Sequence, residues 1–138
     1  MRMVLADAVY TKARQKFLDG LISWSNDDIK VVLVGSGYSP DLDADEFLSD
    51  IPSGERIAIS DLLSNKTSIG GVANADTIIF PTVTGSAAEY IVVYKVESTI
   101  ATSSLIAFIS QSTGLPITPN GADIEIDWDT GANKIFKL

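Results

Sequence analysis

The sequence predicts a mainly β domain, a single antiparallel β-sandwich or jelly-roll-like fold with one amphipathic helix near its N-terminus. Two observations predict it. The second half of the chain is a series of short blocks rich in β-branched and aromatic residues, separated by spacers of turn-forming residues. One stretch shows the apolar period of a helix. Seven or so short strands with one helix are typical of sandwiches and jelly rolls.

The length and composition indicate a single globular domain. The chain has 138 residues, of which 46% are hydrophobic and 20% are charged, which is enough to bury a core without cross-links. No linker-like composition divides it and no fixed-period repeat is present. We expect one β-rich domain over residues 1–138, with an apolar N-terminal arm at 1–5, a helix at 6–19 and a β-sandwich at 29–138.

The helix at 6–19 is predicted from a stripe of apolar residues. Basic and polar residues fill most of the opposite side. Gly20 follows where a helix stop is expected. The members of the stripe recur at i, i+3, i+4, i+7 and i+11: Ala6, Val9, Tyr10, Ala13 and Phe17.

The strands are predicted from β-branched blocks and from alternation of apolar and polar residues. The blocks at 89–96 and 104–110 are the strongest pair and are expected to form a hairpin. Residues 64–71 are predicted as a loop, residues 71–76 are ambiguous, and Asn120-Gly121 is predicted as a turn. The predicted strands are 29–34, 56–61, 77–80, 89–96, 104–110, 122–128 and 134–138.

The strand at 122–128 has two chemically different faces. Alternation places Ile124, Ile126 and Trp128 on one face, and the opposite face carries only acidic residues. That face is interpreted either as solvated or as a docking surface. Its members are Asp123, Glu125 and Asp127.

The balance of charge limits the class of partner. The chain has 18 acidic and 10 basic residues and a net charge of −8, which disfavours binding to nucleic acid and to anionic membranes. It has neither the apolar core of a signal peptide nor a run of about 18 apolar residues for a membrane span. Without cysteine, neither disulfides nor thiolate metal sites form. We expect synthesis in a reducing cytoplasm.

The residue types argue against an enzyme and against a cofactor or metal site. With no His and no Cys, the Ser-His and Cys-His nucleophile systems are unavailable. Asp41, Asp43 and Asp45 imitate the start of a calcium loop, but the sixth position is Glu46 instead of Gly and the twelfth is Pro52 instead of Glu. The better interpretation is that Asp43 caps a short helix running through Leu48, with Glu46 completing a capping box.

Two further patterns resemble ligand-binding sites, and each also has a purely structural explanation. Gly35-Ser36-Gly37 follows a predicted strand, but Tyr38-Ser39-Pro40 comes next and resists a helix start, so a phosphate loop is disfavoured. Trp24 and Tyr38 flank loops and are the first candidates for a glycan- or receptor-binding platform. The alternative is that the aromatic residues belong to the core.

Several segments resemble a group of small structural proteins of tailed-bacteriophage virions. The resemblance spans about residues 10–138; its most specific pieces are DEFLSDIP at 45–52, the pair YK and LIAFIS at 94–95 and 105–110, and WDTGANKIFKL at 128–138. It implies a non-enzymatic virion component, foremost a head decoration (cement) protein that binds the major capsid protein shell. A tail- or fibre-associated virion protein is the alternative. The resemblance brings no catalytic residues, and residues 1–9 depart from it.

The two ends of the chain supply the predicted assembly contacts. Exposed strand edges and apolar arms invite pairing with another chain, and closed cyclic symmetry is usual for homo-oligomers. By analogy, a trimer at a threefold position of a shell is favoured, with the protein located in the virion after synthesis in the host cytoplasm. The predicted contact residues are Met1, Arg2, Met3, Val4, Leu5, Lys134, Phe136 and Leu138.

Overall fold

The computed structural model describes residues 8–110, 115–128, 131–132 and 134–138. In this part of the chain the fold is mainly β, with antiparallel sheets and one α-helix near the N-terminus, as predicted. Two short 3-10 helices, Leu48–Asp50 and Ser53–Glu55, precede the strand at Arg56–Ile59. The elements are β1 (Ala8–Val9), α1 (Thr11–Leu18), β2 (Ile29–Gly35), β3 (Arg56–Ile59), β4 (Thr67–Ile69), β5 (Val72–Asn74), β6 (Ile78–Phe80), β7 (Ala88–Lys95), β8 (Leu105–Ile109), β9 (Ile124–Ile126) and β10 (Phe136–Lys137).

The largest sheet has the strand order β1-β8-β7-β2-β3. The predicted hairpin of β7 and β8 is confirmed, and β2 pairs with β7 along its whole length. All five residues of β8 are buried, so both faces of this strand are covered. Two smaller sheets, β10-β5-β4 and β6-β9, complete the architecture. The core therefore lies around β2, β7 and β8, whose sequences are almost continuously apolar.

The helix begins at Thr11, so the prediction of a helix from residue 6 is wrong at its start. Ala8 and Val9 form β1, opposite Phe108 and Ala107 of β8. The Tyr10 N–H then donates to the Ile106 carbonyl at 2.9 Å. The first turn of a helix leaves its backbone N–H groups without partners, whereas pairing with the edge of β8 gives the residues of β1 hydrogen bonds. This gain outweighs the helical preference that the apolar stripe indicates.

The helix ends where the sequence predicts it. Gly20 has a φ of +74°, which a residue without Cβ adopts at little cost. The Gly20 N–H donates to the Phe17 carbonyl at 3.2 Å, and the Leu21 N–H donates to the Lys16 carbonyl at 2.8 Å. This pair of bonds is the Schellman motif, which satisfies carbonyls at the helix end.

A hairpin occupies residues that the sequence analysis treated as a loop and an ambiguous stretch. β4 and β5 pair with Ile69 opposite Val72, so the connection has two residues. These are Gly70 and Gly71, with φ values of +63° and +77°. Two central residues at positive φ define the hairpin turn that Gly-Gly favours. The Gly70-Gly71 dipeptide was the sequence signal from which the hairpin of β4 and β5 was predictable.

The helix predicted from Asp43 to Leu48 is absent, and the segment is a loop followed by a 3-10 turn. The Asp41 carboxylate accepts hydrogen bonds from the N–H groups of Asp43 and Ala44, both at 3.1 Å. The Asp50 carboxylate accepts from the N–H groups of Glu46 and Phe47 at 2.8 and 2.9 Å. Aspartate side chains thus compete with helical hydrogen bonds, as they do in turns.

The two glycines of Gly35-Ser36-Gly37 make room for a carboxylate from the same chain. The Gly37 N–H donates to Glu55 Oε1 at 2.8 Å. A Cβ on Gly35 or on Gly37 would lie 2.6 Å from the Glu55 side chain. The glycines are therefore explained by the close approach of Glu55.

A chain of buried hydroxyl groups links the segment before α1 to the loop after β2. Tyr38 Oη donates to Asp45 Oδ2 at 2.7 Å, and Tyr10 and Tyr38 lie 2.9 Å apart at their hydroxyl oxygens. Because Tyr38 has one proton and directs it to a carboxylate, Tyr10 donates to Tyr38. Burial raises the pKa of both tyrosines above the ordinary value, so both hydroxyls stay protonated.

We expect Gly37→Ala to destabilise the protein by about 0.5–1.5 kcal/mol, since the added Cβ displaces the Glu55 carboxylate from its exposed hydrogen bond with the Gly37 N–H. Gly54→Ala is the matched control, because a Cβ there meets no atom within 4 Å. Urea denaturation of both variants measures the difference. Equal stability of the two variants would contradict the conclusion that Gly37 is required for the close approach of the Glu55 carboxylate.

Stability should fall as the pH rises above about 10, where an unfolded tyrosine loses its proton. Tyr10 and Tyr38 have raised pKa values in the folded state, so their contribution is full below that pH and is lost above it. Tyr38→Phe should show a shallower alkaline loss, with about 1–3 kcal/mol less stability at neutral pH. Tyr90→Phe, outside this hydrogen-bond chain, is the control. Melting temperatures against pH test this, and an unchanged alkaline profile in Tyr38→Phe contradicts it.

Candidate functional site

An apolar groove runs beside the C-terminal half of α1. Two adjoining concavities, of ≈ 200 and ≈ 420 Å³, share Phe17 and Leu138 in their walls. The inner one lies over the β10-β5-β4 sheet, and the outer one lies against α1. The inner concavity is lined by Phe17, Trp24, Ser68, Gly71, Val72, Ala73, Phe136 and Leu138, and the outer one by Arg14, Phe17, Leu18 and Leu138.

The floor of the groove is a cluster of three aromatic rings. Phe136 meets Trp24 edge-on with centroids 5.2 Å apart, and its centroid lies 6.1 Å from that of Phe17. The Trp24 Nε1–H donates to the Asn74 carbonyl at 3.2 Å, which holds the indole against β5. Aromatic pairs in these geometries stabilise a packed site beyond their buried area. The floor is thus rigidly held by α1, the segment after it, β5 and β10.

The rim of the groove carries leucines that the described residues leave in solvent. Leu18 is 83% exposed and Leu138 is 50% exposed. Leu18 follows Phe17 directly, and successive helical residues are rotated by about 100°, so Leu18 lies on the outside when Phe17 packs inward. Isolated exposed leucines are ordinary, but leucines beside an open apolar groove mark a surface suited to a protein partner.

The helix beside the groove carries only basic charged residues, which are Lys12, Arg14 and Lys16. Lys16 is held on the opposite side of the helix: its Nζ lies 2.8 Å from Glu46 Oε2 and 4.3 Å from the centre of the Phe47 ring. Arg14 lines the outer concavity. In a chain with a net charge of −8, this helix is a local concentration of positive charge.

The predicted contact residues do not share one location in the structure. Met1, Arg2, Met3, Val4 and Leu5 lie outside the described residues. Phe136 is 3% exposed and forms the floor of the groove, so it supports the surface from below. Lys134 is half-buried with a φ of +44°, and Leu138 is on the rim. The predicted final strand at 134–138 is shorter, covering Phe136–Lys137.

The two aromatic residues suggested for a glycan platform are buried, which corrects that expectation. Trp24 is 5% exposed and Tyr38 is 3% exposed. Tyr38 packs near Phe108 and directs its hydroxyl to Asp45. Tertiary packing around the loops covers both rings, and the sequence does not reveal this because aromatic residues beside loops occur in both settings.

Two carboxylates of the predicted acidic face accept hydrogen bonds from threonines on either side of β6. The Asp123 carboxylate accepts from the Thr82 N–H at 2.8 Å, and Asp127 accepts from the Thr77 hydroxyl at 2.9 Å. These bonds support the connection between β6 and β9. Within the described residues, no group of three or more His, Cys, Asp or Glu side chains is placed to hold a metal ion. The predicted alternation of β9 is confirmed, with Ile126 and Trp128 buried and Glu125 exposed.

Sequence reasoning missed Leu18 and the β4–β5 wall of the groove. Leu18 lies outside the predicted apolar stripe and two residues before the helix stop at Gly20, and that position was a usable signal. Ser68 and Val72 belong to the missed hairpin, which the Gly70-Gly71 dipeptide indicates. The meeting of these residues with Phe136 is a long-range contact, which local patterns do not encode.

A scan against models of known protein families gives no match, and a comparison with curated proteins also gives none. The resemblance to phage virion proteins therefore stays a prediction from the segments quoted above. Within the described part of the chain, no helix has both the length and the hydropathy to cross a lipid bilayer.

We expect Phe136→Ala to lower the free energy of unfolding by about 3–5 kcal/mol, because it empties the floor of the aromatic cluster. Leu138→Ala should change it by about 0.5 kcal/mol or less, as a surface substitution. Guanidinium unfolding of the two variants measures the contrast. If Phe136→Ala is as stable as Leu138→Ala, the cluster is not the structural support of the groove.

Proposed function

We propose that this chain is a non-enzymatic structural protein of a tailed-bacteriophage virion, of the capsid-decoration type, that binds the shell of the major capsid protein. The sequence segments that resemble such proteins support this proposal. The observation that carries an assembly role is the open apolar groove with Leu18 and Leu138 exposed on its rim, since such surfaces are typical of protein–protein contacts.

The chemistry of the surface supports a protein partner over the other classes. A net charge of −8 disfavours a phosphate backbone. The residues suggested for a sugar platform, Trp24 and Tyr38, are buried, so the glycan-binding alternative has lost its two named candidates. A tail- or fibre-associated position remains the alternative within the same class, because it needs the same kind of assembly surface.

The proposal includes self-association as a homo-oligomer, with a trimer favoured by analogy to threefold positions on shells. A decoration protein must be compact and must present an attachment surface without help from disulfides. Here the groove is built on packed aromatic rings and on strands, so it is present before a partner arrives. The proposed assembly contacts are Leu18 and Leu138 of the rim, together with the predicted arm Met1–Leu5.

The copy number of the chain in purified particles tests the proposal. Quantitative mass spectrometry against the major capsid protein, with electron cryomicroscopy of the same particles, gives both number and position. Hundreds of copies on the head are expected for decoration. A handful at one vertex or at the tail tip would replace it with the tail alternative, and absence from washed particles would overturn the virion proposal.

A further inference from the structure

We propose that the groove beside α1 binds the arm Met1–Leu5 of a second copy of this chain, so that neighbouring subunits are joined by exchanged arms. The inference rests on the proposed function, because it names the partner of the same assembly surface. The arm is apolar at four of its five positions. It is thus a segment of this chain, outside the described residues, whose chemistry matches an open apolar groove.

The direction of the chain at β1 favours a neighbour over the same chain as the source of the arm. Ala8 lies opposite Phe108, and the Tyr10 N–H donates to the Ile106 carbonyl. The chain therefore passes β8 from its C-terminal side toward its N-terminal side as it enters α1. Farther along the helix, Lys16 Nζ donates to Ser104 Oγ at 2.8 Å. The groove therefore lies beside α1, which follows β1 along the chain, whereas the arm comes before Ala8.

The short length of chain between the arm and β1 also favours a neighbour as the source of the arm. From Phe108 to Ser104 the sheet extends by about 13 Å, at roughly 3.3 Å per residue. The three steps from Leu5 to Ala8 span about 10 Å when fully extended. To enter its own groove, an arm must reverse direction within these few residues, because the groove lies beside α1, which follows β1 in the chain. An arm from a neighbour needs no such reversal.

Charge sets the polarity of the docked arm. Arg14 lines the outer concavity, and Asp7 follows the arm by two residues. With Leu5 near Leu18, Asp7 comes close to the Arg14 guanidinium, and opposite charges attract there. Arg2 then lies at the inner end, near Ser68, where its side chain reaches solvent. This polarity leaves the apolar arm residues against the aromatic floor.

The absence of cysteine from the chain allows a disulfide test that keeps every apolar contact. Arg2→Cys and Ser68→Cys are made in separate, differently tagged full-length proteins, mixed under reduction and then oxidised. Ser53→Cys is the matched control for Ser68→Cys, because Ser53 is also exposed but precedes β3 at the other edge of the large sheet. Docking predicts on the order of tenfold more mixed dimer with Ser68→Cys, since a bound arm raises the local thiol concentration.

Three outcomes of the cross-linking overturn the inference. One is an equal yield with Ser68→Cys and Ser53→Cys. Another is no mixed dimer at all. The third is a double variant, Arg2→Cys with Ser68→Cys, that forms its disulfide only within one chain, which would show that the arm covers its own groove.

A second measurement uses charge at the rim. Leu18→Asp should weaken self-association in sedimentation velocity by about tenfold or more, because docking would bury a carboxylate. Ile100→Asp, at a residue 48% exposed in another loop, should associate as the unchanged protein does. A protein that is monomeric at all concentrations, or an equal effect of the two substitutions, overturns the inference.

Failure of arm docking and failure of the proposed function are distinguishable. If the cross-link fails while many copies are found on the phage head, only the arm contact is overturned. If the specific cross-link forms while the chain is absent from particles, self-association stands and the virion role falls.

Discussion

The enclosure of β8 is the constraint on which the rest of the structure depends. All five of its residues are buried, and it is paired on one edge with β7 and on the other with β1. Buried backbone groups must find hydrogen-bond partners. A strand of only two residues, β1, therefore supplies partners for part of this edge, and α1 begins two residues after it ends.

The position of α1 in turn creates the groove. Phe17 packs on Phe136, and Trp24 meets the same ring from the segment after the helix. These contacts join α1 to β10, and β10 is paired with β5. Because Phe17 faces inward, Leu18 faces outward at 83% exposure. A firm aromatic floor and an exposed apolar rim thus follow from one packing arrangement.

Charge and apolar surface are distributed unevenly over the molecule, and this difference limits which partner suits the groove. The carboxylates of the β6–β9 connection and of the loop after β2 are engaged in turns and hydrogen bonds. The groove is instead apolar and is flanked by a helix whose charged residues are all basic. A partner suited to it is apolar and carries a nearby carboxylate. The proposed arm with Asp7 meets that description.

The sequence by itself determined the β class, the positions of the long strands, the hairpin of β7 and β8, the helix stop at Gly20 and the alternation of β9. Each depends on local chemistry: β-branched runs, a two-residue period, or a glycine at positive φ. Only the tertiary structure decided that residues 8–9 are a strand, that Trp24, Tyr38 and Phe136 are buried, and that Leu18 stands beside Leu138. These outcomes depend on contacts between residues far apart in the chain, where hydrogen bonds to β8 and aromatic packing outweigh local propensity.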